Sequence, residues 1–300
     1  MLTRVITGSV IFIVSLAFVL LKQVSFLFFD AFALIIMLGA LNETIKAYKH
    51  SKTNVSAIPL YLSVPMLACL HIFARTTLEV LSGYILITIF IILYTLTEEI
   101  IIFAKNRKRG LTETNAEILN KTLFDKAKFT MMVFAYPVVP LSFFFAMNHL
   151  PYEIGYIGIV LIFAISMLTD TMAYFVGMLC GKQKFIPEVS PKKTIQGVVG
   201  GFLGGIIGAL ACFFVFYYTD LFSVLNEAGM LKSILSFVGI GLVGSYVNQL
   251  GDLVASALKR KIGIKDYSNL FPGHGGFMDR VDGMMFVSVV IFIVLSLFFV

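Results

Sequence analysis

Long runs of apolar residues alternate with short polar loops along the whole chain. A helix needs about 20 apolar residues to cross a bilayer, and nine runs come near that length. They lie at 5–21, 25–42, 57–74, 80–103, 129–148, 154–179, 197–218, 233–255 and 284–300. The pattern predicts an all-α, polytopic integral membrane protein with about nine transmembrane helices.

The composition supports this prediction and excludes a soluble enzyme. Of the 300 residues, 59% are hydrophobic and only 13% are charged. The net charge of +6 does not indicate nucleic-acid binding, because the cations lie in short interhelical loops. If the N-terminus is cytoplasmic, all of the 23 Lys and Arg residues except Lys22, Arg75 and Lys232 lie on the cytoplasmic side. We therefore expect an N-in, C-out protein of the inner (plasma) membrane.

The sequence predicts that the chain divides into two regions by function. We expect residues 1–128 to hold four transmembrane helices and a basic cytoplasmic segment, and residues 129–300 to form the catalytic region. The first apolar run lacks a small-residue cleavage site, which favours a retained helix over a signal peptide. In 197–218, glycines recur every four residues in two rows, Gly197/Gly201/Gly205 and Gly200/Gly204/Gly208. Such rows predict close helix packing.

Acidic residues within apolar runs need an account, because a charge in the bilayer is costly. For Asp30, Glu98 and Glu99 we expect snorkelling or internal pairing. Asp170 and Asp252 differ, since each stands beside a basic loop on the predicted cytoplasmic side.

Candidate chemistry is concentrated between the last two apolar runs, in residues 256–282. This stretch carries cations, carboxylates and a glycine-flanked histidine: Lys259, Arg260, Lys261, Lys265, Asp266, His274, Asp279, Arg280 and Asp282. Ser256 lies one helical turn after Asp252. A second basic loop contains Lys182, Lys184, Lys192 and Lys193, with Thr194 or Gln196 at the start of the next helix. Two basic loops with nearby carboxylates could hold a triphosphate and a divalent cation.

At these residues the chain resembles the phosphatidate cytidylyltransferases, also called CDP-diacylglycerol synthases. The matching C-terminal signature comprises Ser256, Lys259-Arg260, Lys265-Asp266, Pro272, His274-Gly275-Gly276, Asp279-Arg280 and Asp282. A second block comprises Asp170-Thr171, Ala173-Tyr174, Gly177, Ser190-Pro191-Lys192-Lys193-Thr194 and Gly197. The family usually has Trp-Glu before that last glycine, whereas this chain has Ile195-Gln196.

The resemblance implies the reaction of CTP with phosphatidic acid to give CDP-diacylglycerol and pyrophosphate, at a Mg²⁺ site that a second cation such as K⁺ could share. It implies Asp252 and Asp279 as metal ligands, with Asp282 and Asp170 as further candidates. The implied catalytic residues are Asp252, Ser256, Lys259, Arg260, Lys265, Asp266, His274, Asp279 and Arg280. Lys192, Lys193, Thr194, Gly275 and Gly276 are implied to bind substrate.

Other functions stay open at this point. A polyprenol or dolichol kinase, or an archaeal-type ether-lipid cytidylyltransferase, would also use CTP at a membrane. A lipid or phosphate transporter would also have many helices, but transporters place their polar groups near the bilayer midplane, whereas here they gather at one edge. We further expect contacts with membrane lipids, and a homodimer through a glycine-rich helix face is possible.

Overall fold

The structure is a computed structural model that describes residues 2–51, 53–108, 116–219 and 229–299. Its elements, in chain order, are α1 (Leu2–Leu21), α2 (Phe26–His50), α3 (Ala57–Phe73), α4 (Thr77–Lys108), α5 (Ala116–Val133), a π-helical turn (Phe134–Val138), α6 (Val139–Asn148), α7 (Tyr152–Cys180), β1 (Lys184–Ile186), β2 (Ser190–Thr194), α8 (Ile195–Tyr218), α9 (Met230–Ile262), α10 (Met278–Val281) and α11 (Met284–Phe299).

Each of the nine predicted apolar segments coincides with helix. By length and composition six helical segments are able to cross a membrane: Phe26–His50, Thr77–Asn106, Lys121–Asn148, Tyr152–Cys180, Ile195–Tyr218 and Met230–Ile262. Ile6–Leu21, Ala57–Phe73 and Met284–Leu297 form shorter apolar helices. The chain is therefore helical and multi-pass in character, whereas the count of nine spans and the N-in orientation stay predictions.

One predicted helix is interrupted. We expected 129–148 to be continuous, but Tyr136 has the extended angles φ −150° and ψ 107°, and the α-helical conformation resumes at Val139. The following residue is Pro137, which lacks an N–H group and disfavours the helical conformation of the residue before it. The basic cytoplasmic segment predicted at the end of 1–128 falls partly outside the described residues, since 109–115 are not among them.

The chain forms two compact units, Ala33–Ser142 and a second made of Met1–Phe32 with Phe143–Val300. The predicted functional division at 128/129 is a separate matter and stays a prediction. In the Ala33–Ser142 unit, the Lys126 ammonium lies 2.6 Å from Glu99 Oε1 and 3.1 Å from Glu98 Oε2. The hydroxyl of Ser56 donates to Glu98. The expected internal pairing of these two glutamates is confirmed.

In the other unit, α8 packs between α7 and α9, and its glycines allow both contacts. A methyl group added to Gly204 would lie 2.2 Å from the Leu168 carbonyl oxygen on α7. One added to Gly205 would lie 2.7 Å from the Gly241 carbonyl oxygen on α9. The predicted close packing is confirmed, and both faces are used within one chain. A homodimer stays a prediction, and it would need another surface.

Candidate active site

The second basic loop, which contains Lys184 and Lys193, folds as a β-hairpin that the sequence did not predict. Strands β1 and β2 pair antiparallel, with Lys184 opposite Thr194 and Ile186 opposite Ser190. The Thr194 side chain then caps α8, because its Oγ1 accepts a hydrogen bond of 3.1 Å from the Gly197 amide. The expectation that this position starts the helix is confirmed, and the cap fixes the end of the strand that carries Lys192 and Lys193.

Gln196 closes the base of the same loop. Its Oε1 accepts hydrogen bonds from the amides of Lys182 (3.0 Å) and Gln183 (3.4 Å). A glutamate oxygen could accept the same two bonds. Glutamine at this position therefore keeps the hydrogen bonds that a glutamate would make to the loop, but it carries no charge.

Lys193 joins the two basic regions. Its ammonium lies 2.7 Å from Asp252 Oδ2 on α9, and the two side chains are 25% and 36% exposed. Ser256, one turn later on α9, donates a hydrogen bond of 3.3 Å to Asp252 Oδ1. Residues separated by about sixty positions in the sequence therefore meet in one solvent-accessible place.

Asp279 occupies a different environment, in which its carboxylate organises the glycine-rich turn. Its Oδ2 accepts from the amides of Tyr267 (2.8 Å) and Gly276 (3.0 Å), and its Oδ1 lies 2.8 Å from the Lys259 ammonium. The side chain is only 4% exposed. Gly275 has a φ of 76°, and a Cβ there would lie 2.7 Å from Asp279 Oδ2, so this turn requires glycine.

The surroundings of Asp282 are intermediate between those of Asp252 and those of Asp279. Its Oδ1 accepts from the Gly283 amide at 2.9 Å, and its Oδ2 is 3.9 Å from the Lys259 ammonium. The pKa of Asp282 is raised to about 8, chiefly by burial and then by the charges of Asp252 and Asp170, while Lys259 and Arg280 oppose the shift. Asp170, Asp252 and Asp282 thus interact electrostatically, and we refer to them as the carboxylate cluster.

Asn248 is a site residue that sequence reasoning missed. It lies on α9 one turn before Asp252, is 1% exposed, and its Nδ2 donates a hydrogen bond of 2.8 Å to Asp170 Oδ1 on α7. A methyl group on Gly283 would lie 2.5 Å from Asn248 Oδ1, so the amide also packs against the chain beside Asp282. The four-residue spacing to Asp252 was the available signal.

The remaining predicted residues differ in how closely they are associated with the carboxylate cluster. Arg280 is exposed and acts electrostatically on Asp170 and Asp282. His274 is half-buried beside Gly8 of α1, where an added methyl group would lie 3.2 Å from its Nε2. Lys192, Arg260, Lys265 and Asp266 are exposed. Among the described residues, no hydrogen bond or ion pair links these last four to the carboxylate cluster.

The donor set fits a magnesium ion that would take part of its coordination from substrate. Within the described part of the chain, no three His, Cys, Asp or Glu side chains form a preassembled metal centre. Mg²⁺, however, is usually held by one or two carboxylates together with phosphate oxygens and water. Asp252, the partly exposed member of the carboxylate cluster, suits that arrangement, whereas both oxygens of Asp279 already have partners.

Comparisons with known proteins show which family the chain resembles. A family model described as "Cytidylyltransferase family" matches residues 2–298. A phosphatidate cytidylyltransferase of Staphylococcus aureus (strain COL) is 38% identical over 168 residues, which is 56% of this chain and 58% of that protein. Those of Thermotoga maritima and Staphylococcus epidermidis are 32% and 36% identical over 169 and 183 residues, or 60% and 65% of their lengths. The alignments therefore cover somewhat less than two thirds of each relative.

Proposed function

Because the chain belongs to the cytidylyltransferase family, we propose that it transfers CMP from CTP to phosphatidic acid and so forms CDP-diacylglycerol and pyrophosphate. The observation that carries this proposal is the 2.7 Å contact of Lys193 with Asp252. This contact places the basic hairpin, which can bind phosphate, against Asp252, which can bind a cation. A reaction between two phosphate-bearing substrates requires both.

The chemistry needs little proton transfer. A phosphate oxygen of phosphatidic acid attacks the α-phosphorus of CTP, the bond from that phosphorus to the bridging oxygen of the β-phosphate breaks, and pyrophosphate leaves with the electron pair. Since the attacking oxygen is already anionic, no strong general base is required. The main tasks of the protein are to bring two polyanions together and to neutralise the charge that develops on the leaving group.

The basic side chains perform those tasks in this proposal. Lys193 releases Asp252 and binds phosphate, while Lys192 and Arg280 approach from the exposed sides. Lys259 stands between Asp279 and Asp282, at 2.8 and 3.9 Å, and adds a fixed positive charge. Asp279 holds the glycine-rich turn in place by accepting a hydrogen bond from the Gly276 amide.

A bound Mg²⁺ would polarise the phosphate oxygens and neutralise leaving-group charge. Asp252 is the first candidate to hold it, with Asp282 and Asp170 close by, and Asp279 would do so on exchanging Lys259. A second cation such as K⁺ could share the carboxylate cluster. We further propose that the protein lies in the cell membrane with this site facing the cytoplasm, where CTP is available, and that membrane lipids supply the second substrate.

The decisive experiment is an assay of purified protein with phosphatidic acid and CTP labelled at the α-phosphate. The proposal predicts label in the lipid and release of pyrophosphate. Release of labelled CDP would indicate a kinase instead, and unchanged CTP would indicate a transporter or another function.

Lys193→Ala provides the site-specific arm of this assay, with Lys184→Ala as its matched control on the opposite strand of the hairpin. We expect the first variant to lose most of its turnover and the second to stay near the rate of the unaltered protein. Equal rates for the two variants would contradict the placement of the site.

A further inference from the structure

A cavity of about 390 Å³ lies far from the carboxylate cluster, at the other end of α7. Residues of the α1–α2 turn and of the α6–α7 turn line it, among them Lys22, Ser25, Asn148, His149 and Tyr152. Tyr152 precedes Asp170 by eighteen residues on α7, which corresponds to roughly 27 Å along the helix axis. The cavity is therefore a separate feature from the proposed active site.

Lys22 is a buried cation that has no direct counter-ion in the described part of the chain. The residue is 4% exposed, and its ammonium donates to two neutral oxygens of Asn148, the backbone O at 3.1 Å and Oδ1 at 2.7 Å. Within the described residues no carboxylate lies within 4 Å of it. Burial lowers the pKa of Lys22 to about 8, although the charge of Asp30 opposes this. A buried ammonium normally requires a paired charge.

The carboxylate whose charge acts on Lys22, that of Asp30, is already engaged elsewhere. Asp30 Oδ1 accepts from Asn148 Nδ2 at 2.7 Å, and Asp30 Oδ2 lies 3.0 Å from His149 Nε2. Asn148 therefore separates the two charges by donating to one and accepting from the other. The Lys22 ammonium has three N–H donors, of which Asn148 uses two, so one remains for a group in the cavity.

Two helix N-termini add positive potential at the same cavity. Helix α2 begins at Phe26 and α7 at Tyr152, and both residues line the cavity. The first N–H groups of a helix lack intrahelical acceptors and carry partial positive charge, which favours an anion. Phe26 and Tyr152 are also 49% and 54% exposed, so aromatic rings stand at the rim while the buried Lys22 lies in the interior.

We propose that this cavity binds a phosphate group, and that its occupant is the headgroup phosphate of an anionic phospholipid. The buried ammonium, the two helix N-termini and the serine of the α1–α2 turn supply the recognition. The exposed aromatic rings at the rim suit the glycerol and acyl part of a lipid better than a free ion. On the predicted topology the cavity faces the leaflet opposite the proposed active site, so the lipid would be a bound ligand rather than a substrate.

The test measures phosphatidylglycerol binding to the full chain in detergent by native mass spectrometry. Lys22→Met should weaken binding about tenfold or more, because a charge-assisted hydrogen bond is lost. Lys232→Met removes an exposed lysine at the start of α9 and serves as the control, with binding expected to match that of the unaltered protein.

A second pair of variants leaves the Lys22–Asn148 bonds in place, in case Lys22→Met fails to fold. Ser25→Glu puts a carboxylate into the cavity, and Ser25→Gln puts in a neutral side chain of the same size. The glutamate variant should bind phosphatidylglycerol about tenfold more weakly than the glutamine variant. Equal binding by these two variants would overturn the proposal.

A competition experiment on the same preparation distinguishes a lipid phosphate from free inorganic phosphate as the ligand. Inorganic phosphate is added to the protein alone and in competition with phosphatidylglycerol. Weak competition at millimolar phosphate is expected for a lipid site. If inorganic phosphate binds more tightly than the lipid and displaces it, the lipid assignment is wrong.

Discussion

Asp252 and Asp279 hold their carboxylates in different surroundings, and this difference predicts different consequences of removing the charge. Asp252→Asn should nearly abolish turnover yet change the stability by less than about 0.5 kcal/mol, because the side chain is 36% exposed. Asp279→Asn should reduce turnover as well, but it should also destabilise the protein by about 1–3 kcal/mol. An amide oxygen can keep the two backbone bonds, but the amide nitrogen then faces the Lys259 ammonium, which loses its acceptor. The measurements are CMP transfer at saturating magnesium and the thermal unfolding midpoint in detergent.

The opposite pattern would reassign these two residues. If Asp252→Asn kept normal turnover at saturating magnesium, Asp252 would not be a metal ligand. If Asp279→Asn were as stable as the unaltered protein, the ion pair of Lys259 with Asp279 would contribute little to the stability.

Asn248 is expected to position Asp170 rather than to contact substrate. Asn248→Leu has a similar volume but removes the 2.8 Å bond to Asp170, so we expect the kcat to fall about tenfold, the equivalent of about 1.4 kcal/mol. The KM for CTP should change much less, since no phosphate contact is lost. Steady-state kinetics against CTP concentration separates the two effects, and a rise in KM alone would indicate direct substrate binding.

At the level of single elements, the base of the β1–β2 hairpin explains how the chain tolerates Gln196. We predict that Gln196→Glu changes turnover by less than tenfold, or under about 1.4 kcal/mol, because both side chains can accept from the amides of Lys182 and Gln183. A leucine at this position cannot accept these hydrogen bonds. Gln196→Leu should therefore have a larger effect on turnover than Gln196→Glu, and it should lower it. A much larger gain from the glutamate would mean that the carboxylate at this position takes part in the reaction.

The packing of α7 on α8 predicts a strong effect of a single methyl group. Gly204→Ala would bring a Cβ within 2.2 Å of a backbone carbonyl of α7, whereas a Cβ at Gly239 on α9 would meet nothing within 4 Å. We expect the first variant to be destabilised by about 1–3 kcal/mol. Gly239→Ala should be neutral or stabilising by up to about 1 kcal/mol, because alanine favours helix. Thermal unfolding of the two proteins in the same detergent makes the comparison.

Some features of these elements were predictable and others were not. The glycine rows indicated close packing because their spacing of four residues marks one helix face. The row Gly197/Gly201/Gly205 does not face a single neighbouring helix. Gly197 lies against Ala173 on α7, whereas Gly201 and Gly205 lie against α9. The hairpin escaped prediction because its strands have only three and five residues and carry mostly polar side chains. Asn248 escaped because a buried amide has no sequence signature of its own.

For the whole molecule, the distribution of cations predicts which ends of the helices face the cytoplasm. In a cysteine-free background, Lys232→Cys should react with a membrane-impermeant maleimide added to intact cells, whereas Lys184→Cys should react only after the membrane is opened. Both lysines are exposed, so access to the reagent and not burial decides the outcome. Labelling of Lys184→Cys in intact cells would reverse the proposed orientation of the active site.

The glycine-rich faces of α8 also determine how constant the proposed active site is in shape. Asp170 and Asp252 belong to the two helices between which α8 lies. On both faces of α8, glycines lie against backbone atoms of its neighbours, so the spacing of the three helices depends on main-chain contacts rather than on side-chain rotamers. Main-chain contacts offer few alternative arrangements. The gap between the two carboxylates should therefore vary little with lipid composition or temperature, even while the lipid-facing side chains exchange conformations freely.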